Sequence, residues 1–137
     1  MTQRNTVNCL LGMLGTDVHS KGIRTLARIL DEAGGIDVHY IGEHNSVEGM
    51  VDAIIARNAS IVGLSFSSAA YVEYTRQLIE AMKRRDLGHV PVMLGGIIHP
   101  DDVDELKAMG VAGIFGAGSR TADIVSFVQR AGLPAEA

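Results

Sequence analysis

With a single cysteine among 137 residues, the chain has neither disulfides nor a thiolate metal cluster, and the apolar run around Cys9 marks it as a small buried hydrophobe. Basic clusters are missing as well. Nothing longer than Lys83-Arg84-Arg85 occurs and the net charge is −4, so there is no basic face to neutralise phosphates, which argues against nucleic acid as a partner. That short run reads as a solvated helix end. No apolar stretch approaches the roughly 20 residues of a membrane span, and Met1 to Asn8 is polar with no signal-peptide core. A cytoplasmic location is expected. Linkers and low-complexity tracts are also lacking, and a chain of this length buries roughly two-thirds of its unfolded surface in one core. A single domain over residues 1–137 is expected, with a core from about 7 to 131.

What is present is an alternation. Short apolar runs at Val7–Met13, Ile36–Ile41, Ile61–Leu64, Val90–Leu94 and Ala112–Phe115 suit buried strands. Between them, Ile23, Leu26, Ala27 and Leu30 recur at helical spacing, as do Val47, Met50, Val51, Ile54 and Ile55. Asn45 with Glu48 three residues on resembles a capping box for the second helix, and Gly34 and Gly110 sit where helices stop. Further helices are predicted over Val72–Arg84, Asp101–Met109 and Ser119–Arg130. Five βα units require a parallel sheet with right-handed crossovers, hence a flavodoxin-like, doubly wound α/β fold with strand order 2-1-3-4-5. Ligands in such a sheet bind outside the carboxyl ends of its strands.

The loops expected at that edge are rich in small residues. The first, Gly15-Thr16-Asp17-Val18-His19-Ser20-Lys21-Gly22, pairs a histidine with a carboxylate two residues earlier. A metal-ligating histidine normally gives its other ring N–H to a carboxylate, which fixes its tautomer and raises its basicity, so Asp17 and His19 form a coherent ligand pair. Ser65, Ser67 and Ser68 follow strand three, Gly95-Gly96 ends strand four, and Gly116-Ala117-Gly118-Ser119 leads into the last helix. Such a glycine-rich entry can hold a phosphate on helix amides. Together these loops leave a slot along the sheet for a long, flat ligand.

Asp17-x-His19-x-x-Gly22, Ser65-x-Ser67 and Gly95-Gly96, separated by 42 and 27 residues, resemble the cobalamin-binding fingerprint of carbon-skeleton mutases and methionine synthase. The resemblance runs from Val7 to about Val128. It implies adenosylcobalamin bound with its benzimidazole displaced, His19 as the cobalt ligand and Asp17 hydrogen-bonded to it. Ser20, Gly22, Ser65, Ser67, Gly95, Gly96, Gly116, Gly118 and Ser119 are the implied cofactor-binding residues. Two positions depart from the pattern: Ser67 stands where the family has leucine, and Met13 where many acyl-CoA mutases have a lysine facing the aspartate.

Functionally, the resemblance implies a non-autonomous isomerase subunit that presents the cofactor to a separate, substrate-binding barrel subunit. The stretch from Gly95 to Asp102 and from Ile114 to Ser119 is similar to acyl-CoA mutases, whereas Leu11 to Asp17 is more like the small subunit of glutamate mutase. A corrinoid methyl-transfer shuttle is the alternative of another class. It carries a helical cap domain, for which the six residues ahead of the first predicted strand leave no room. A receiver domain needs an acidic phosphoacceptor where this chain has Ser65.

Overall fold

The computed structural model describes residues 6–15, 20–66, 70–116 and 118–133. Its elements alternate as predicted: β1 (Val7–Gly12), α1 (Lys21–Ala33), β2 (Ile36–Tyr40), α2 (Val47–Arg57), β3 (Ile61–Phe66), α3 (Tyr71–Arg84), β4 (Val92–Gly96), α4 (Val103–Ala108), β5 (Gly113–Gly116) and α5 (Thr121–Ala131). The five strands form one parallel sheet in the order β2-β1-β3-β4-β5, the doubly wound order with its switch point between β1 and β3. Each strand alternates its side chains between two helical layers. Leu10, Val62, Leu64, Val92 and Leu94 pack under α2, α3 and α4. Cys9, Leu11, Ile61 and Met93 pack under α1 and α5.

Strand and helix ends shift for identifiable reasons. The third strand continues past Leu64 through Ser65 and Phe66, because their partners Gly95 and Gly96 extend β4 in register. The fourth begins at Val92 rather than Val90, since Pro91 has no N–H for the ladder and contributes only its carbonyl, to Val62. The capping-box expectation is corrected: Ser46, not Asn45, caps α2 by accepting from the Gly49 N–H at 2.9 Å. Asn45 is occupied elsewhere, donating from Nδ2 to the carbonyls of Met13 at 3.1 Å and Gly42 at 2.8 Å, which joins the loops after β1 and β2. The fourth helix opens as a single 3₁₀ turn over Pro100–Asp102, headed by the His99 ring, whose Nδ1 accepts from the Asp101 N–H. The fifth begins at Thr121, two residues later than predicted, with Arg120 as the residue preceding it. Gly34 and Gly110 follow their helices at φ +85° and +115°, positive-φ conformations that glycine adopts without steric cost.

Candidate functional site at the carboxyl edge of the sheet

Period-2 alternation sends Gly63, Ser65 and Gly95 to the face under α1 and α5, between Ile61, Leu11 and Met93. Small residues at consecutive inward positions leave a hole that the helices do not fill. A cleft of about 240 Å³ results, bounded by the central strands, by Gly22, Thr25 and Leu26 of α1, and by Thr121 and Ile124 of α5. Gly63 forms part of its floor: a Cβ there would stand 2.6 Å from Leu11 Cδ2 and 2.8 Å from Met93 Cε. At Gly22 a Cβ would meet nothing within 4 Å, and at Gly95 its nearest neighbour would be the Phe115 carbonyl at 3.5 Å. Those two glycines therefore keep space open rather than relieve a clash. Gly96 differs. It sits at φ +105° and any side chain on it would run into the Phe66 carbonyl, so only glycine allows β3 and β4 to stay paired to their ends.

The structure brings Gly22, Ser65, Gly95 and Gly96 together as cleft lining. Gly116 lies beside Gly96 in the β4–β5 ladder. Ser20 occupies the N-cap position of α1 without capping it, its Oγ accepting from Arg24 Nε at 3.1 Å. Gly118 and Ser119 are exposed ahead of α5 and do not border the cleft. Asp17, His19 and Ser67 lie outside the described residues, as does Ala117. Met13 is fully buried in the α1–α5 layer. Among the described residues no group of three or more His, Cys, Asp or Glu side chains stands ready for a metal ion.

Sequence reasoning missed the walls. Thr25, Leu26 and Ile29 of α1 and Thr121 and Ile124 of α5 line the cleft, and the signal for them was the apolar helical stripe, which reads equally well as ordinary core. The cleft walls are mostly apolar and its hydroxyls few, namely Thr25, Ser65 and Thr121. Such a lining suits a flat aromatic group with few polar atoms, because unpaired polar groups are costly to bury. Cys9, beneath this layer, is fully buried, and burial pushes its thiol up to about 12. It is no nucleophile at neutral pH.

Comparison with known proteins accords with this architecture. The pivalyl-CoA mutase small subunit of Xanthobacter autotrophicus is 30% identical over 128 residues, covering 93% of this chain and 85% of that protein. The ethylmalonyl-CoA mutase of Methylorubrum extorquens is 34% identical over 110 residues, where the match takes in 80% of this chain but 16% of the longer relative. Among solved structures, a cobalamin-binding protein from Desulfitobacterium hafniense superimposes with a TM-score of 0.77 at 26% identity, over 93% of this chain and 59% of that one. The B12 binding domain family matches residues 7–126, which takes in all five strands and most of α5, and the chain belongs to that family.

Proposed function

We propose that this chain is the cobalamin-binding subunit of an adenosylcobalamin-dependent mutase and presents the cofactor to a separate, substrate-binding barrel subunit that rearranges an acyl-CoA. The cleft carries this reading: a deep, apolar, small-residue slot at the carboxyl edge of β3 and β4, in a chain similar to a protein named as a mutase small subunit. The residues present fit the cofactor's nucleotide tail, since Gly22 and Gly95 keep open a space that any larger side chain would fill. Ser65, Gly95 and Gly96 would flank the displaced benzimidazole. His19 would ligate the cobalt, with Asp17 holding its other ring nitrogen. When bound, adenosylcobalamin would supply adenosyl-radical chemistry. An open sheet edge does not exclude water, so containment of that radical falls to the partner, and the chain alone is catalytically silent. Among the described residues no helix is long and apolar enough to cross a membrane, and a cytoplasmic site of action accords with the chemistry.

The test is spectroscopic. The protein, alone and with its large subunit, should take up hydroxocobalamin with the benzimidazole displaced, and paramagnetic resonance of the cob(II)alamin form should show coupling to a nitrogen of isotope-labelled histidine. Replacing His19 by alanine should abolish that coupling. No uptake, or coupling that survives in His19→Ala, overturns the assignment.

A further inference from the structure

Tyr71, the first residue of α3, is buried to 4% exposure, with its ring against Phe66 at 6.2 Å between centroids. Its hydroxyl donates to Asp102 Oδ2 at 2.6 Å and accepts from the His99 backbone N–H at 2.9 Å. Both partners belong to the segment that joins β4 to α4. A phenylalanine would fill the same apolar space, so the hydroxyl answers a different need: it holds two groups separated from it by about thirty residues of chain. The Asp102 carboxylate favours the neutral phenol and moves its pKa upward, which keeps the donor in place.

The tethered segment begins at the cleft. Gly96, at φ +105°, turns the chain, and the next N–H, of Ile97, donates to the Phe66 carbonyl at 2.9 Å. Ile97 then projects into solvent at 64% exposure. From there to α4 the path is fixed by His99, through its own carbonyl to the Asp102 N–H and through its ring to the Asp101 N–H, and by the Tyr71 hydroxyl. Without that hydroxyl the turn around His99 keeps its internal bonds, but its tie to α3 is lost.

We propose that Tyr71 is a positioning residue for the cofactor edge: its hydroxyl, clasped between the Asp102 carboxylate and the His99 amide, fixes the loop leaving Gly95-Gly96 and with it the rim of the cleft. The proposal rests on the cobalamin reading of that cleft. A loop ordered before binding spares the ligand the entropy of ordering it. Losing a part-buried hydrogen bond to a charged group, together with the tie to the His99 amide, weakens binding by about tenfold where the loop must be re-ordered on association.

Tyr71→Phe keeps the ring and removes the clasp. In absorption titrations with hydroxocobalamin, carried out on the full chain alone and with its large subunit, the Kd should rise about tenfold. Amide exchange at Ile97 and His99 should quicken while amides of β1 and α2 keep their protection. Asp102→Asn retains an acceptor and should stay within about threefold of the parent, whereas Asp102→Ala, which leaves the His99 N–H bond to the hydroxyl intact, should fall between the parent and Tyr71→Phe. An unchanged Kd in Tyr71→Phe overturns the proposal, and so does a loss of affinity that tracks loosening of β1 and α2. If the parent protein takes up no cobalamin, the functional reading fails, while the exchange measurement still decides whether Tyr71 fixes this loop.

Discussion

On the face covered by α2, α3 and α4, the central strands present Val62, Leu64 and Phe66 from β3 and Val92 and Leu94 from β4, and their side chains close into one continuous cluster. On the other face the intervening positions are Ile61, Gly63 and Ser65, then Met93 and Gly95, and the α1–α5 layer spans a cleft instead of closing over it. Both sets of residues belong to the same ten positions of sequence, interleaved one by one. A sheet two residues per period can thus be rigid on one side and hollow on the other, and the packed side holds the strands in place while the hollow side receives a ligand. Two tyrosines in the first turn of α3 reach from the packed side to loops at the carboxyl edge of the sheet. Tyr71 reaches the loop after β4, and the Tyr74 ring stacks on Phe66 at 6.5 Å and lies where a side chain on Gly15 would go.

If the division of labour is real, substitutions on the two faces separate stability from binding. The largest effect belongs to the packed face. Leu78 of α3 is fully buried in it, and Leu78→Ala should cost about 3 kcal/mol of stability, read from the denaturant midpoint, with cobalamin affinity unchanged while the protein remains folded. On the hollow face, Gly95→Val should do the reverse. Its Cβ meets nothing closer than 3.5 Å and a β-branched residue suits a strand, so the midpoint should hold or rise slightly. The added methyls enter the cleft and should weaken cobalamin binding by about 100-fold, roughly 2.7 kcal/mol. Should Gly95→Val bind as the parent does, the cleft is not the cofactor's slot.

How much of this was written legibly in the sequence depends on the range of the interaction. Helix phasing follows from local periodicity, so Ile23 and Leu30 of α1 point inward as their spacing predicts, and strand order follows from the βα alternation with its right-handed crossovers. The glycines of the slot were visible as a pattern, and Gly22, Gly95 and Gly96 meet in the cleft with Ser65. What could not be read was anything fixed by long-range competition. Asn45 has the right spacing to Glu48 for a cap, yet two carbonyls from other loops claim its amide and Ser46 takes the role. Ser65 looked like loop until its pairing with Gly95 placed it in β3. The Tyr71–Asp102 contact joins residues 31 apart, with no local signature at either end.

An effect confined to alkaline solution, again divided by face, comes from pH. The Cys9 thiol lies in the α1–α5 layer, where burial raises its pKa from 9.0 to about 12. A group whose folded pKa is raised contributes its full stabilisation below the unfolded value and loses it as pH climbs through the folded one. The contribution of Cys9 to stability should therefore be constant below pH 9 and fall between 9 and 12. Tyr71, on the packed side, is raised from 10.0 and adds to the same alkaline decline, beginning at higher pH. Denaturation series on the parent and on Cys9→Ala check this: the variant should start lower, because a buried sulfur is lost, but decline less steeply above pH 9. Parallel declines would mean that the thiol ionises in both states alike.

The smallest expected effect compares two serines in matching positions on opposite faces. Each precedes a helix that follows a sheet strand and its loop, Ser20 before α1 on the hollow side and Ser46 before α2 on the packed side. Ser46 has extended backbone angles, φ −81° and ψ 164°, which aim its hydroxyl at the Gly49 N–H; that bond satisfies one of the amides a helix leaves unpaired at its start. Ser20 has φ −93° and ψ −1°, an almost helical conformation from which its side chain makes no cap. Ser46→Ala should therefore cost about 1 kcal/mol of stability and leave cobalamin affinity alone. Ser20→Ala removes only an exposed contact with Arg24, and surface contacts of that kind are worth little, so its denaturant midpoint should stay within about 0.5 kcal/mol of the parent. If the Ser20 hydroxyl serves the cofactor, its loss shows in the absorption titration instead. Two serines that shift the same observable, whether midpoint or affinity, would erase the distinction between a face that holds the fold and a face that holds the ligand.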